Sequence, residues 1–110
     1  MMPYDERLAE RLRDALAAQP DITEQKMFGG VAFMASGNLA VGASSSGGLI
    51  VRADAETCDE FLEPGVELME MRGRQMRGWL HVDAERVASE ADLDAWVEHG
   101  LGYARSLPPK

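Results

Sequence analysis

The side chains of this sequence that are best suited to chemistry are one cysteine and two histidines. His81 and His99 do not form an H-x-x-x-H motif or a Cys/His cluster, so their spacing does not indicate a zinc site. His81 and Asp83 fall on the same face of a predicted strand, yet the sequence places no nucleophile or oxyanion donor beside them. We therefore predict no catalytic residue, metal or cofactor, and keep an enzyme that uses His81 or Cys58 as an alternative.

Cys58 is predicted to be a packed thiol. It falls on the apolar side of a short predicted helix together with Phe61 and Leu62, and a free cysteine behaves as a small hydrophobic residue. A reactive thiolate needs a nearby cation, whereas the neighbours Asp59 and Glu60 are acidic.

Arginines form a local positive region in an otherwise acidic chain. Between Glu67 and Val82, three arginines against two glutamates leave a net charge of +1, while the whole chain carries −8. Guanidinium groups bind carboxylates and phosphates in a bidentate manner, but a solvated surface that pairs with the chain's own carboxylates is the competing interpretation. So few contacts are too weak for strong DNA binding. The predicted interaction surface comprises Arg52, Arg72, Arg74, Arg77 and Trp79.

Other polar motifs do not match known ligand sites. The glycine- and serine-rich loop over residues 42–48 lacks the lysine and the following helix of a P-loop, which favours a mobile hairpin loop. The carboxylates after residue 82 do not have EF-hand spacing.

Size and composition predict one domain over residues 1–110. The chain is 45% hydrophobic, which is typical of a globular protein, and its single cysteine excludes an internal disulfide. No apolar run reaches the length of a membrane span, and the charged N-terminus does not resemble a signal peptide. We expect a cytoplasmic protein that does not bind membranes.

Hydrophobic periodicity predicts the helices and strands. Leucines at i, i+4 and i+8 indicate a first helix over residues 4–18, which Pro20 ends. A short helix is expected after Asp54, and a final helix that Ser89 caps ends before Pro108 and Pro109. Alternating apolar residues and turn signals predict strands over residues 23–28, 31–35, 39–42, 49–52, 66–71 and 76–82.

The order of these elements predicts an α+β fold with two layers. Short turns between successive strands favour antiparallel pairing, and a single sheet with helices against one face buries the apolar stripes. Residues 31–35 are apolar on both faces, as in a strand that is covered on both sides. We expect Trp96 in the core and Trp79 partly exposed at a surface used for association.

Glycine-rich motifs carry the most specific information. Gly29 and Gly30 predict a bulge or a sharp bend after the first strand, and Gly73 predicts a turn. In order along the chain, the motifs are Met27-Phe28-Gly29-Gly30, Gly48-Leu49-Ile50-Val51-Arg52, Gly73-Arg74-Gln75-Met76-Arg77-Gly78-Trp79, Trp96, and Ser106-Leu107-Pro108-Pro109-Lys110. Together they resemble the TfoX/Sxy N-terminal domain family over nearly the whole sequence.

The resemblance implies a fold and a kind of function. It implies a two-layer α+β fold similar to type III secretion chaperones, and a role like that of the founding members, which regulate natural competence as transcriptional coactivators. Those members carry a further helical domain, whereas this sequence ends at Lys110, so we expect a stand-alone N-terminal domain. We predict a non-catalytic module that binds a protein partner. A weak nucleic-acid-binding protein is the alternative, and a homodimer is compatible with both.

Overall fold

The computed structural model describes residues 6–27, 30–45, 47–71 and 73–109. In this part of the chain, six strands form one antiparallel sheet in the order β1-β2-β3-β4-β6-β5. The strands are β1 Ile22–Met27, β2 Gly30–Ala35, β3 Asn38–Ala43, β4 Leu49–Arg52, β5 Val66–Met71 and β6 Arg74–Val82; the helices are α1 Glu6–Leu16 and α2 Glu90–Ser106.

Both helices pack on one face of the sheet, which we call the inner face. In the inner core, the buried residues of both helices pack against strand residues that include Val31, Phe33, Val41 and Leu80. This arrangement confirms the predicted α+β class and its two layers. Within the described residues, neither helix is both long enough and apolar enough to cross a bilayer.

Helix α1 buries the predicted leucine stripe. Leu8, Leu12 and Leu16 each have 3% or less of their surface exposed, because residues three and four apart lie on one side of a helix. The helix ends at Leu16, earlier than predicted, and Gln19 N–H donates to the Leu16 carbonyl in the turn that follows. Tyr4, at the predicted start, lies outside the described residues.

Helix α2 begins at the predicted cap. The Ser89 hydroxyl accepts a hydrogen bond from the Asp92 amide at 3.1 Å. The helix crosses the sheet closely at Gly100, where an added Cβ would lie 2.4 Å from the Ala40 carbonyl oxygen. Trp96 is only half-buried at the margin of the core, where its ring contacts Phe61 and His99, so its predicted core position was wrong.

The segment after Asp54 differs from the predicted short helix. It forms a 3₁₀ turn over Cys58–Phe61, preceded by a hydrogen bond from the Glu56 amide to the Asp54 carboxylate at 2.8 Å. Leu62 was predicted to face inward but is 39% exposed, because the turn ends at Phe61 and Leu62 has extended backbone.

The glycine pair after β1, predicted to form a bulge or sharp bend, is described only in part. Gly30 is the first residue of β2 and pairs with Met27, while Phe28 and Gly29 lie outside the described residues. Register shifts interrupt two of the described strand pairs. One lies between β5 and β6, at Leu68 and Met69, and the other lies between β2 and β3, where Phe33 pairs with Val41 and Met34 pairs with Leu39. Ala40 is the extra residue of this bulge, and it joins the inner core.

Candidate functional site

The face of the sheet opposite the helices, the outer face, carries a second apolar cluster. Ala32, Leu39 and Ile50 are 3%, 7% and 4% exposed, respectively. Three half-buried side chains pack around them, and we call the whole set the outer cluster: Ala32, Met34, Leu39, Ile50, Met69 and Trp79. All six residues belong to strands, so no described helix residue contributes to this cluster.

Side-chain alternation produces the outer cluster. Successive residues of a strand point to opposite faces, so β2 directs Val31 and Phe33 inward but Ala32 and Met34 outward. Because β2 is apolar at every position, both faces of the sheet acquire an apolar surface, although only the inner face is covered by helices.

A cleft opens at one end of the outer cluster, with a volume of about 540 Å³. Its walls come from β2, the start of β3, the end of β4, β6 and the segment after α2. The lining residues are Met34, Asn38, Leu39, Arg52, Trp79, Leu107, Pro108 and Pro109.

Arg52 holds a defined orientation in this cleft. Its Cζ lies 4.5 Å from the centre of the Trp79 ring and 5.1 Å from that of Tyr103 in α2. Its Nη1 donates to the Gly78 carbonyl at 3.0 Å. Arg52 and Trp79 are cross-strand partners in β4 and β6, which brings the guanidinium over the ring.

Gly78 shapes the strand that supports Arg52. Its φ of +86° lies in a region that favours glycine, and its carbonyl also accepts a hydrogen bond from the Ala53 amide at 2.8 Å. An added Cβ would lie 2.9 Å from the Ala53 carbonyl oxygen and 3.2 Å from Arg52 Nη1. Glycine at this position therefore allows the backbone and Arg52 to approach each other.

The segment after α2 forms the remaining wall of the cleft. The side-chain amide of Asn38, which is 4% exposed, donates to the Pro108 carbonyl at 3.0 Å. Pro108 and Pro109 were predicted as a helix stop and as part of a family motif, and the structure also places them beside β3.

The remaining predicted arginines lie in other surroundings. Arg77 pairs with Asp59 at 3.0 Å and donates to the Ala55 carbonyl, which attaches the 3₁₀ turn to β6. The hydrogen bond with Asp59 raises the pKa of Arg77 above its ordinary value. Arg74 is exposed at the start of β6, and Arg72 lies outside the described residues.

Cys58 and His81 are placed on opposite faces of the sheet. Cys58 is fully buried in the inner core, where its thiol lies 3.5 Å from the Ala55 carbonyl oxygen. His81 pairs with Ile50 and so projects from the outer face, with Nε2 2.7 Å from the Gly47 carbonyl oxygen and Nδ1 3.8 Å from Asp83 Oδ1. The sheet therefore separates the two residues. Among the described residues, no three His, Cys, Asp or Glu side chains are grouped as metal ligands would be.

The comparison with protein families agrees with the motifs and the fold. A family model described as TfoX N-terminal domain matches residues 14–104, which include all six strands. This chain belongs to the TfoX N-terminal domain family. No match was found for this TfoX N-terminal domain among the curated proteins or among the solved structures.

The range matched by the family model includes some, but not all, of the residues that line the cleft of this TfoX N-terminal domain. Arg52, Trp79 and the other strand residues lie inside the matched range, whereas residues 107–109 lie beyond it.

Sequence reasoning had named Arg52 and Trp79 as a surface but had missed Met34, Leu39 and Tyr103. The apolar residues on both faces of β2 were a signal for Met34, while no local pattern indicated the contact with Tyr103.

Proposed function

We propose that this TfoX N-terminal domain is a non-catalytic, cytoplasmic protein-interaction module that acts in transcription-linked regulation. The observation that carries the proposal is the cleft beside the outer cluster, because the half-buried Met34, Met69 and Trp79 remain partly accessible on the face of the sheet opposite the helices. Aromatic residues, methionine and arginine are enriched in protein interfaces, and Trp79, Met34, Met69 and Arg52 supply these side chains here. The regulatory role follows from the family resemblance.

The positions of Cys58 and His81 support a non-catalytic role. A nucleophilic thiolate needs an accessible and electropositive site, whereas the Cys58 thiol is buried among core side chains. His81 lies on the other face and contacts a loop carbonyl and a carboxylate.

The experiment that tests the proposal is crosslinking in the native cell, comparing the wild-type chain with two variants. Met34→Lys places a charge in the outer cluster, while Ala95→Lys adds the same charge at an exposed position of α2. We expect a protein partner with the wild type and with Ala95→Lys, and a severalfold lower yield with Met34→Lys. Transcript changes in a deletion strain should be reversed by the same two chains that retain the partner.

Two results would contradict this function. One is a partner set that Met34→Lys leaves unchanged, provided that thermal unfolding shows the variant to be folded. The other is turnover of a small molecule that depends on residues of the chain.

A further inference from the structure

We infer that the cleft recognises an extended peptide segment in which one carboxylate side chain is flanked by apolar residues. This inference rests on the proposed function, since it names the chemistry of the partner that the outer face binds. The carboxylate would lie against Arg52, and the apolar neighbours against Met34, Leu39 and Trp79.

The charge of the cleft favours an anionic group. Arg52 is its only charged lining residue among those the structure describes, and no aspartate or glutamate lines it. The chain has 19 acidic and 11 basic residues, and several of its described arginines pair with a carboxylate. Arg13, Arg77 and Arg105 each do so, with Glu24, Asp59 and Asp21 respectively.

The orientation of Arg52 favours a carboxylate in particular. Contacts with the Trp79 and Tyr103 rings and the Nη1 hydrogen bond to the Gly78 carbonyl hold the guanidinium in place. A planar carboxylate accepts parallel hydrogen bonds from the remaining donors of a guanidinium. Because the side chain is already ordered, binding costs less conformational entropy than it would at a mobile arginine.

The apolar walls favour a peptide over a small anion. The cleft is continuous with the outer cluster through Met34, Leu39 and Trp79, so an occupant that enters it also contacts the outer face of the sheet. A volume of about 540 Å³ accommodates a few side chains.

The net charge of −8 restricts how much negative charge a partner can carry. It repels a polyanion or a second copy of this chain, which favours a segment with a single acidic residue over an acidic run.

The experiment is a selection followed by matched binding measurements. A displayed library of random peptides about eight residues long, which span about 26 Å when extended, is selected on the immobilised wild-type chain. Enriched peptides are then synthesised with either Asp or Asn at the acidic position. Binding is followed by Trp79 fluorescence in a Trp96→Phe background, which removes the only other tryptophan.

We expect enriched peptides to carry one Asp or Glu between apolar residues. Arg52→Gln should weaken their binding about tenfold or more. The peptide with Asn in place of Asp should bind the wild-type chain more weakly by a similar factor. Arg74→Gln is the matched control, since it makes the same charge change at an exposed arginine outside the cleft and should leave binding within about twofold. In a double-mutant cycle, the effects of Arg52→Gln and of the Asp-to-Asn peptide change on the binding free energy should not be additive.

Several results would overturn the inference. They are no enriched peptide, enrichment without acidic residues, binding that is indifferent to Asp-to-Asn, or sedimentation showing that a second copy covers the outer face. The peptide substitution leaves the protein intact, so this arm remains decisive even if Arg52→Gln does not fold.

The outcomes also separate this inference from the proposed function. Apolar peptides that bind without a carboxylate, and whose binding is lost in Met34→Lys, would contradict this inference but not the proposed interaction module. Acidic peptides that bind in the cleft, with no cellular partner that depends on the outer face, would remove the proposed function instead.

Discussion

Ion pairs connect segments of the chain that are far apart in sequence. Arg13 of α1 pairs with Glu24 of β1, and Arg105 of α2 pairs with Asp21 in the turn before β1. The hydrogen bond from Arg13 lowers the pKa of Glu24, and that from Arg105 lowers the pKa of Asp21. Both carboxylates therefore stabilise the fold only in their ionised form.

Glu24→Gln should reduce stability at neutral pH but not in acid. Because the folded-state pKa of Glu24 lies below its unfolded value, its contribution is fully present above the unfolded pKa and is lost as the pH falls through the folded pKa. For a partly exposed pair we expect a loss of about 0.5 kcal/mol at pH 7. Urea unfolding of both chains over a pH series measures this difference.

The control for Glu24 is another carboxylate-to-amide change at the surface. Glu60→Gln alters an exposed residue of the 3₁₀ turn and should leave the unfolding midpoint nearly unchanged at pH 7. A difference between wild type and Glu24→Gln that persists in strong acid would show that the ion pair is not its source.

The packing of α2 on the sheet depends on one of its two interior glycines. An added Cβ at Gly100 would press on the Ala40 carbonyl, whereas at Gly102 it would meet no atom within 4 Å. Gly100 lies on the buried stripe of the helix and Gly102 is exposed. The same residue type therefore has opposite packing roles two positions apart.

Gly100→Ala and Gly102→Ala should change stability in opposite directions. Alanine raises helix propensity, so Gly102→Ala should stabilise the chain by about 0.5–1 kcal/mol. At Gly100 the clash with backbone should outweigh this gain and give a net loss of about 1 kcal/mol or more. Urea unfolding followed by circular dichroism measures both variants, and a shift in the same direction for the two would refute this packing.

At the scale of the whole molecule, the charge distribution opposes contact with nucleic acid. The net charge is −8, and Arg77 is engaged by Asp59 while Arg52 lies in the cleft. Of the arginines predicted to act together, the described Arg52 and Arg77 thus lie in different surroundings.

We expect duplex DNA to bind with a dissociation constant weaker than about 100 μM at physiological salt. An electrophoretic shift of a labelled duplex over a salt series measures this, with the Arg72→Ala, Arg74→Ala, Arg77→Ala triple variant as the comparison. A salt-sensitive shift that the triple variant loses would establish the nucleic-acid hypothesis in place of ours.

Local patterns in the sequence determined the order and type of the elements. The leucine spacing of α1, the Ser89 cap and the alternation in the strands are set by residues close together in the chain, so periodicity and capping chemistry predict them. The family motifs were also readable, because they are short and occur in a fixed order.

Only the tertiary structure decided which side chains meet. The strand order places β6 between β4 and β5, which brings Trp79 beside Arg52, and the path of α2 adds Tyr103. Alternation in β2 indicated two apolar faces but not which face the helices cover. Such contacts join residues distant in the chain, and their geometry depends on the pairing and packing of whole elements, which no local window of sequence contains.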